Sequence, residues 1–264
     1  MAFDTIYGVD FSAHNQDSAY KTWITEATCE GDALNVSSVR CAWDKFALSS
    51  AGRDATLDSL VSFLADEPDA LVGLDFPFSL PEDVVENRTD ATTWRDFLTQ
   101  FTSVWSSPQE MFDDINDTEG TVLRDTDEEH GGQPPAGWRI KTQTYYGISK
   151  VLTPLVHDHD AHAPSLHSEG DGPTLLETYP AGVFDEAGWN RDGYKGVTEE
   201  CRSRRKENVD GLLGEGVELS DDDVSLATHN DDALDSLACA YAAWQYVDED
   251  LDAYGDSVEG RIYV

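Results

Sequence analysis

Two short stretches of this sequence end alike, Gly8-Val9-Asp10-Phe11 and Gly73-Leu74-Asp75-Phe76. Further acids follow far along the chain, where Asp231, Asp232 and Asp235 open DDALDSLACAYAAW. Clustered carboxylates with no histidine or thiolate among them suit hard divalent ions, Mg²⁺ or Mn²⁺, rather than zinc. Bringing these acids together is the task of the elements that carry them. At the two-residue period of a strand, Asp10 and Asp75 each share a face with the glycine two positions earlier, which leaves open space beside the carboxylate. If the strands are parallel neighbours, about 4.8 Å apart, the two aspartates stand side by side at the carboxyl ends, where open α/β sheets place their ligands. Carboxylates that close repel unless they share a proton or a cation.

The third group belongs to a helix. Leu234, Leu237, Ala238 and Tyr241 recur at i, i+3, i+4 and i+7 and define one apolar face. Asn230 or Asp231 suits the N-cap, where free amides and the helix dipole favour an acceptor. Asp235 lies deeper, beside packed alanines, and needs a partner from another part of the chain. Asp232 and Asp235 share a face at i, i+3, and Asp231 and Asp235 share one at i, i+4, so the spacing leaves the pairing open.

Around these residues the pattern predicts strands, then alternation of helices and strands. A first strand covers 5–12, and 19–28 with 33–42 form a hairpin turned by Glu30-Gly31-Asp32. An amphipathic helix carries Leu57, Leu60, Val61 and Leu64, and a buried strand follows at 70–79, stopped by Pro77 and Pro81. A second helix carries Trp94, Phe97, Leu98, Phe101 and Trp105. Residues 106–140 are polar and rich in glycine and proline, and read as a loop or insertion. Helix 146–156, strand 174–180, a basic helix at 198–212 and the helix opened by Asp231 follow, and RIYV ends the sequence.

That order, with GVDFSA, LDFPFSLP, LLETYPAG, YKG, DDALDSLACAYAAW and EGRIYV, resembles the family called domain of unknown function 429. Its members are predicted nucleases of the ribonuclease H-like superfamily, to which Holliday-junction resolvases belong. The resemblance touches both ends of the chain and is weakest over 106–140. It implies a single domain over 1–264: an α/β, ribonuclease H-like mixed sheet with a three-stranded antiparallel start, then parallel strands, flanked by helices. By the same resemblance Asp10, Asp75, Asp232 and Asp235 take the positions of metal-binding carboxylates. Asp10 would bridge two ions, Asp75 would hold one, and Asp232 with Asp235 the other. Two such ions about 3.5–4 Å apart clamp a phosphodiester in nucleic acid, DNA or RNA. Glu177, at a comparable strand end, would add a ligand or orient water, or else is an edge-strand acid or a contact to a tyrosine or arginine.

Six of the 17 basic residues, Arg191, Lys195, Arg202, Arg204, Arg205 and Lys206, fall in one 16-residue window. They read either as a helix balancing nearby acids or as a local phosphate-binding patch, with Lys195, Arg202, Arg204, Arg205 and Lys206 as the substrate contacts. The four histidines of HDHDAHAPSLHSEG read as an acidic loop rather than a metal site, because Pro164 and the lack of periodicity do not hold ligand geometry.

Two other classes fit parts of the pattern. Actin-like and sugar-kinase ATPases also start with an Asp-ended strand and hairpin, but they need a glycine-rich phosphate turn, which FSAHNQDS lacks. A catalytically silent metal-binding or structural protein would keep the same acids.

The chain of 264 residues carries 53 acidic and 17 basic residues, a net charge of −36, with 39% hydrophobic and 10% aromatic content. That apolar share is too large for a disordered polyanion. Acids spread along the whole length, with arginine outnumbering lysine, point to the cytoplasm of a salt-accumulating halophile, where molar salt cuts the Debye length to about 3 Å. No apolar run nears the roughly 20 residues a bilayer demands, and four scattered cysteines match neither a zinc knuckle nor a redox pair. A membrane partner is therefore not expected.

Overall fold

The computed structural model describes residues 3, 5–118, 122–251 and 257–264. The fold is α/β, a mixed seven-stranded sheet flanked by helices. Its strands are β1 (Thr5–Asp10), β2 (Trp23–Glu30), β3 (Ala33–Cys41), β4 (Ala70–Leu74), β5 (Thr174–Thr178), β6 (Val217–Glu218) and β7 (Ile262–Tyr263). They lie in the order β6-β3-β2-β1-β4-β5-β7. β1, β2 and β3 form an antiparallel meander, while β4 runs parallel to β1, β5 to β4, β7 to β5 and β6 to β3.

The period of two along β1 sorts the core into two layers. Tyr7, Val9 and Phe11 point to one face, against Leu57, Leu60, Ile148 and Leu152. Ile6 points to the other, against Leu234, Leu237 and Ala238 of helix Asp231–Gln245. That helix was expected to bury one face. Instead every residue from Ala233 to Ala243 is buried, as befits a helix apolar nearly all round and laid across the middle of a sheet.

Glycines decide how closely it lies. A Cβ on Gly8 would come within 2.1 Å of the Ser236 carbonyl and 2.3 Å of the Ala240 amide, and one on Gly73 within 2.3 Å of the Cys239 carbonyl. The two glycines therefore do not leave open space beside the carboxylates. They admit the helix backbone against β1 and β4, and a Thr25–Ser236 hydroxyl hydrogen bond of 2.8 Å ties the helix to β2.

Several boundaries differ from expectation. β1 stops at Asp10, and residues 18–21 form a helical turn before β2. β4 ends at Leu74, because Pro77 removes a ladder donor and Phe76 turns the chain. Segment 106–140 is not a continuous loop: helices Pro108–Thr118 and Asp125–His130 lie within it. The first buries Met111 and Ile115 in the core, a helical spacing masked by the polar residues around them. The helix expected at 146–156 runs from Lys141 to Asp158 with a π-helical middle, Gly147–Leu152. Asp221–His229 is a further helix, packed on the basic helix Glu199–Gly214. Among the described residues, no helix is long and apolar enough to cross a membrane.

Candidate metal centre

The parallel register of β1 and β4 pairs Gly8 with Gly73 and Val9 with Leu74. The Asp75 amide continues it by donating to the Val9 carbonyl at 3.0 Å, so Asp75 sits beside Asp10 just past the ends of the two strands. Gln143 fastens the same place from the opposite layer, its side-chain amide donating to the carbonyls of Phe11 (3.1 Å) and Asp75 (2.5 Å). The close seat of helix Asp231–Gln245 then carries Asp235 over the strand ends. One oxygen each from Asp10, Asp75 and Asp235 lie within 4.8 Å of one another.

Asp235 is fully buried, and its partners come from the YKG stretch. The Tyr194 hydroxyl donates to Asp235 Oδ1 at 2.9 Å, and Lys195 Nζ lies 2.7 Å from Oδ2. The Gly196 amide donates to Asp231 Oδ2 at 2.8 Å. Asp231 therefore faces the YKG loop. Asp232 lies toward Asp10, close enough to raise its pKa, but contributes no oxygen to the three-carboxylate cluster. Asn230 is the N-cap, accepting from the Ala233 amide at 3.0 Å.

Crowding of like charge out of water has the expected consequence. Burial, with Asp235, Asp75 and Asp232 adding to it, pushes the Asp10 carboxyl well above the usual range. Burial raises Asp75 to about 7, with Lys195 opposing and Asp235 adding. Asp232 rises to about 6 through burial and the charges of Asp231 and Asp235. Burial lifts Asp235 as well, against the pull of Lys195 and Tyr194. The all-oxygen donor set, held together against its own repulsion, fits a hard divalent cation.

Glu177 does not join the cluster. Its register partner is Leu74, one residue short of Asp75, and both of its oxygens are engaged. Arg124 donates to Oε2 at 2.8 Å and to Oε1 at 2.5 Å, and the Phe78 amide donates to Oε2 at 2.8 Å. Arg124 also grips Asp127 at 2.8 and 2.9 Å, and the whole ionic group is buried. It lines a small pocket with Asp75, Gln133, Ile140 and Gln143. Glu177 thus anchors the loop after Asp75 instead of offering a ligand.

The basic window is divided. Arg205 is buried, donating to the carbonyls of Thr228 (2.9 Å), Tyr194 (2.5 Å) and Gly196 (2.9 Å), so it braces the YKG loop and is not a surface phosphate contact. Arg202, Arg204 and Lys206 pair with Glu199, Glu200 and Asp210 on their own helix, and Arg191 with Asp185. Of the expected substrate contacts, only Lys195 reaches the cluster. The histidine stretch holds no metal cluster among the described residues: His162 shares a hydrogen bond with Thr174, and His157 lies against Arg95 and Thr99.

Arg124, Asp127, Gln143 and Tyr194 were not singled out from the sequence. The first two were hidden in the segment read as an insertion, while Tyr194 sat inside YKG without an assigned role.

A family model described as protein of unknown function (DUF429) matches residues 8–259. The chain belongs to the DUF429 family. Comparison with curated proteins and with solved structures gives no match. The matched span of the DUF429 domain contains all three clustered aspartates and the YKG loop that holds Asp235.

Proposed function

We propose that this DUF429 protein is a metal-dependent nuclease of the ribonuclease H-like superfamily, with Asp10, Asp75, Asp232 and Asp235 holding Mg²⁺ or Mn²⁺. The observation that carries the reading is the convergence of three carboxylates from three separate elements, with oxygens within 4.8 Å of one another, at the ends of adjacent parallel strands. The antiparallel start of the sheet followed by parallel β4 and β5 supports the superfamily. Held by these carboxylates, such ions would supply an activated water and stabilisation of the leaving oxygen of a phosphodiester. Asp10 lies closest to the charges of Asp235, Asp75 and Asp232 together, so it would be a central ligand of any ion held there. Tyr194 and Lys195 hold Asp235 in place, while Gln143 and the Arg124–Glu177 pair hold the loop that carries Asp75. The Lys195 side chain is 60% exposed while its ammonium is paired with the buried Asp235, which sets it at the edge of the cluster, where an approaching phosphate would meet it.

A cleavage assay over single-stranded, duplex and branched DNA and RNA at molar KCl tests the reading. Cleavage is expected with Mg²⁺ or Mn²⁺, not with Zn²⁺, and Asp10→Asn abolishes it while the protein stays folded. If the protein binds Mn²⁺ yet cuts no substrate, it is a silent metal-binding protein. Wild-type cleavage by Asp10→Asn places the centre elsewhere.

A further inference from the structure

Trp138 is 70% exposed, in a chain that buries Trp94 and Trp105 almost completely. It stands between helix Asp125–His130 and the helix that starts at Lys141. Its ring is fixed from one side. The Lys141 ammonium lies 4.1 Å from the Trp138 ring centroid and 4.2 Å from that of Phe112, and Lys141 itself is buried and held by Gln109 Oε1 at 2.6 Å. Phe112 meets the indole edge-on, with centroids 5.8 Å apart. With one face over the ammonium and most of its surface in solvent, the indole presents its other face as a bare, pre-oriented plate. An exposed plate of that kind adds little to the fold and suits base stacking.

Arg139 follows directly. It is exposed and makes no ion pair with any described residue, although acids outnumber bases 53 to 17 and Arg202, Arg204 and Lys206 each find one. Trp138 and Arg139 line a groove of about 340 Å³ whose wall includes Gln133 and Ile140. Those two residues also line the pocket that contains Asp75, so the groove neighbours that pocket across their side chains.

We propose that Trp138 and Arg139 form a substrate subsite that stacks one unpaired base of a single-stranded nucleic acid, with Arg139 on the adjoining phosphate. This inference rests on the nuclease reading and narrows its substrate class. A base inside a duplex has both faces covered by its neighbours, so only an unpaired base meets the indole.

Fluorescence anisotropy of a labelled ten-nucleotide oligothymidylate tests it, with Ca²⁺ in place of Mg²⁺ and KCl varied from 0.5 to 2 M. The wild type is expected to bind the single strand more tightly than the matching duplex. Trp138→Ala should weaken single-strand binding about tenfold, and Trp138→Phe should retain most of it. Arg139→Glu should weaken binding and lower the slope of log affinity against log salt by about one. Melting temperatures of the variants establish that they are folded, since both side chains are exposed. Single-strand binding unchanged in Trp138→Ala, or absent from the wild type, overturns the subsite. If duplex cleavage persists in either case, the nuclease reading stands without the subsite. Binding that depends on Trp138, with no cleavage under any divalent ion, leaves the subsite standing and removes the nuclease.

Discussion

Asp10 is buried to 8% exposure with two carboxylates beside it, and the ammonium of Lys195 faces the group. Two unit charges 4.8 Å apart repel by roughly 3 kcal/mol at an effective dielectric of about 20, so three full charges cannot persist there without a proton or a cation. The direction of the pH dependence follows. A carboxyl whose pKa is higher in the fold than in the unfolded chain keeps its proton in the native state after the unfolded chain has lost it. Its contribution to stability is complete below about pH 4, near the unfolded value, and is lost as the pH rises through the folded one. For Asp232 that is about 6 and for Asp75 about 7. Metal-free protein should therefore lose stability between about pH 4 and pH 8, and Asp75→Asn should lose less over the same range. Melting curves of the two proteins in chelator, taken across that range, check this. Parallel curves would show that Asp75 does not titrate there. The affinity for Mn²⁺ should rise over the same interval, because the ion displaces the protons.

At the scale of elements, the centre depends on how closely one helix approaches two strands. Gly8 faces the Ser236 carbonyl and the Ala240 amide, which are backbone atoms and cannot swing aside. Gly8→Ala should therefore push helix Asp231–Gln245 outward, costing about 3 kcal/mol or more and drawing Asp235 away from Asp10 and Asp75. Gly214, at the end of helix Glu199–Gly214, has nothing within 4 Å of its added Cβ, and Gly214→Ala should be neutral or slightly stabilising. Denaturant unfolding and Mn²⁺ binding of the two variants measure the contrast. Equal stability would mean that the helix tolerates a wider seat. The loop after β4 depends on a different device, the buried Arg124 that joins Glu177 and Asp127. Removing one partner of such a group costs about 3–5 kcal/mol because it strands a buried charge. The helices of 108–130 are thus structural, since they deliver Arg124 to the strand end.

The molecule as a whole carries a net charge of −36 on 264 residues. In dilute salt, near 0.01 M, the Debye length is about 30 Å, comparable with the size of the domain, and like charges repel across it. In molar salt it falls to about 3 Å, and only contacts such as Lys195–Asp235 keep their strength. The melting temperature should accordingly rise steeply from millimolar to molar KCl. A salt-independent melting temperature would remove the proposal of a halophilic setting. The same repulsion acts on nucleic acid, so binding at low salt should be poor except where a cation or Arg139 stands between phosphate and protein.

Much of the architecture was legible because it rests on local rules. The repeated Gly-x-Asp-Phe endings, the period of two along β1 and β4, and the helical spacing after Asn230 follow from backbone geometry alone, and they marked Asp10, Asp75 and Asp235 as candidates, while their meeting at one place was implied by the family resemblance and is seen in the fold. The hairpin signal around Gly31 likewise set the antiparallel start. What the tertiary structure decided was everything that depends on which groups meet across long stretches of chain. Glycine at position 8 or 73 reads as empty space until a helix backbone is laid against it. Arg205 and Arg124 look like any other surface charge in a run of polar residues, yet folding buries both, one beneath the YKG loop and the other between Glu177 and Asp127. For Glu177, at a strand end, the sequence left a metal role and a contact to arginine both open, and folding decides for Arg124. A carboxylate finds its counter-charge by distance in space, and sequence spacing carries that distance only within a single element.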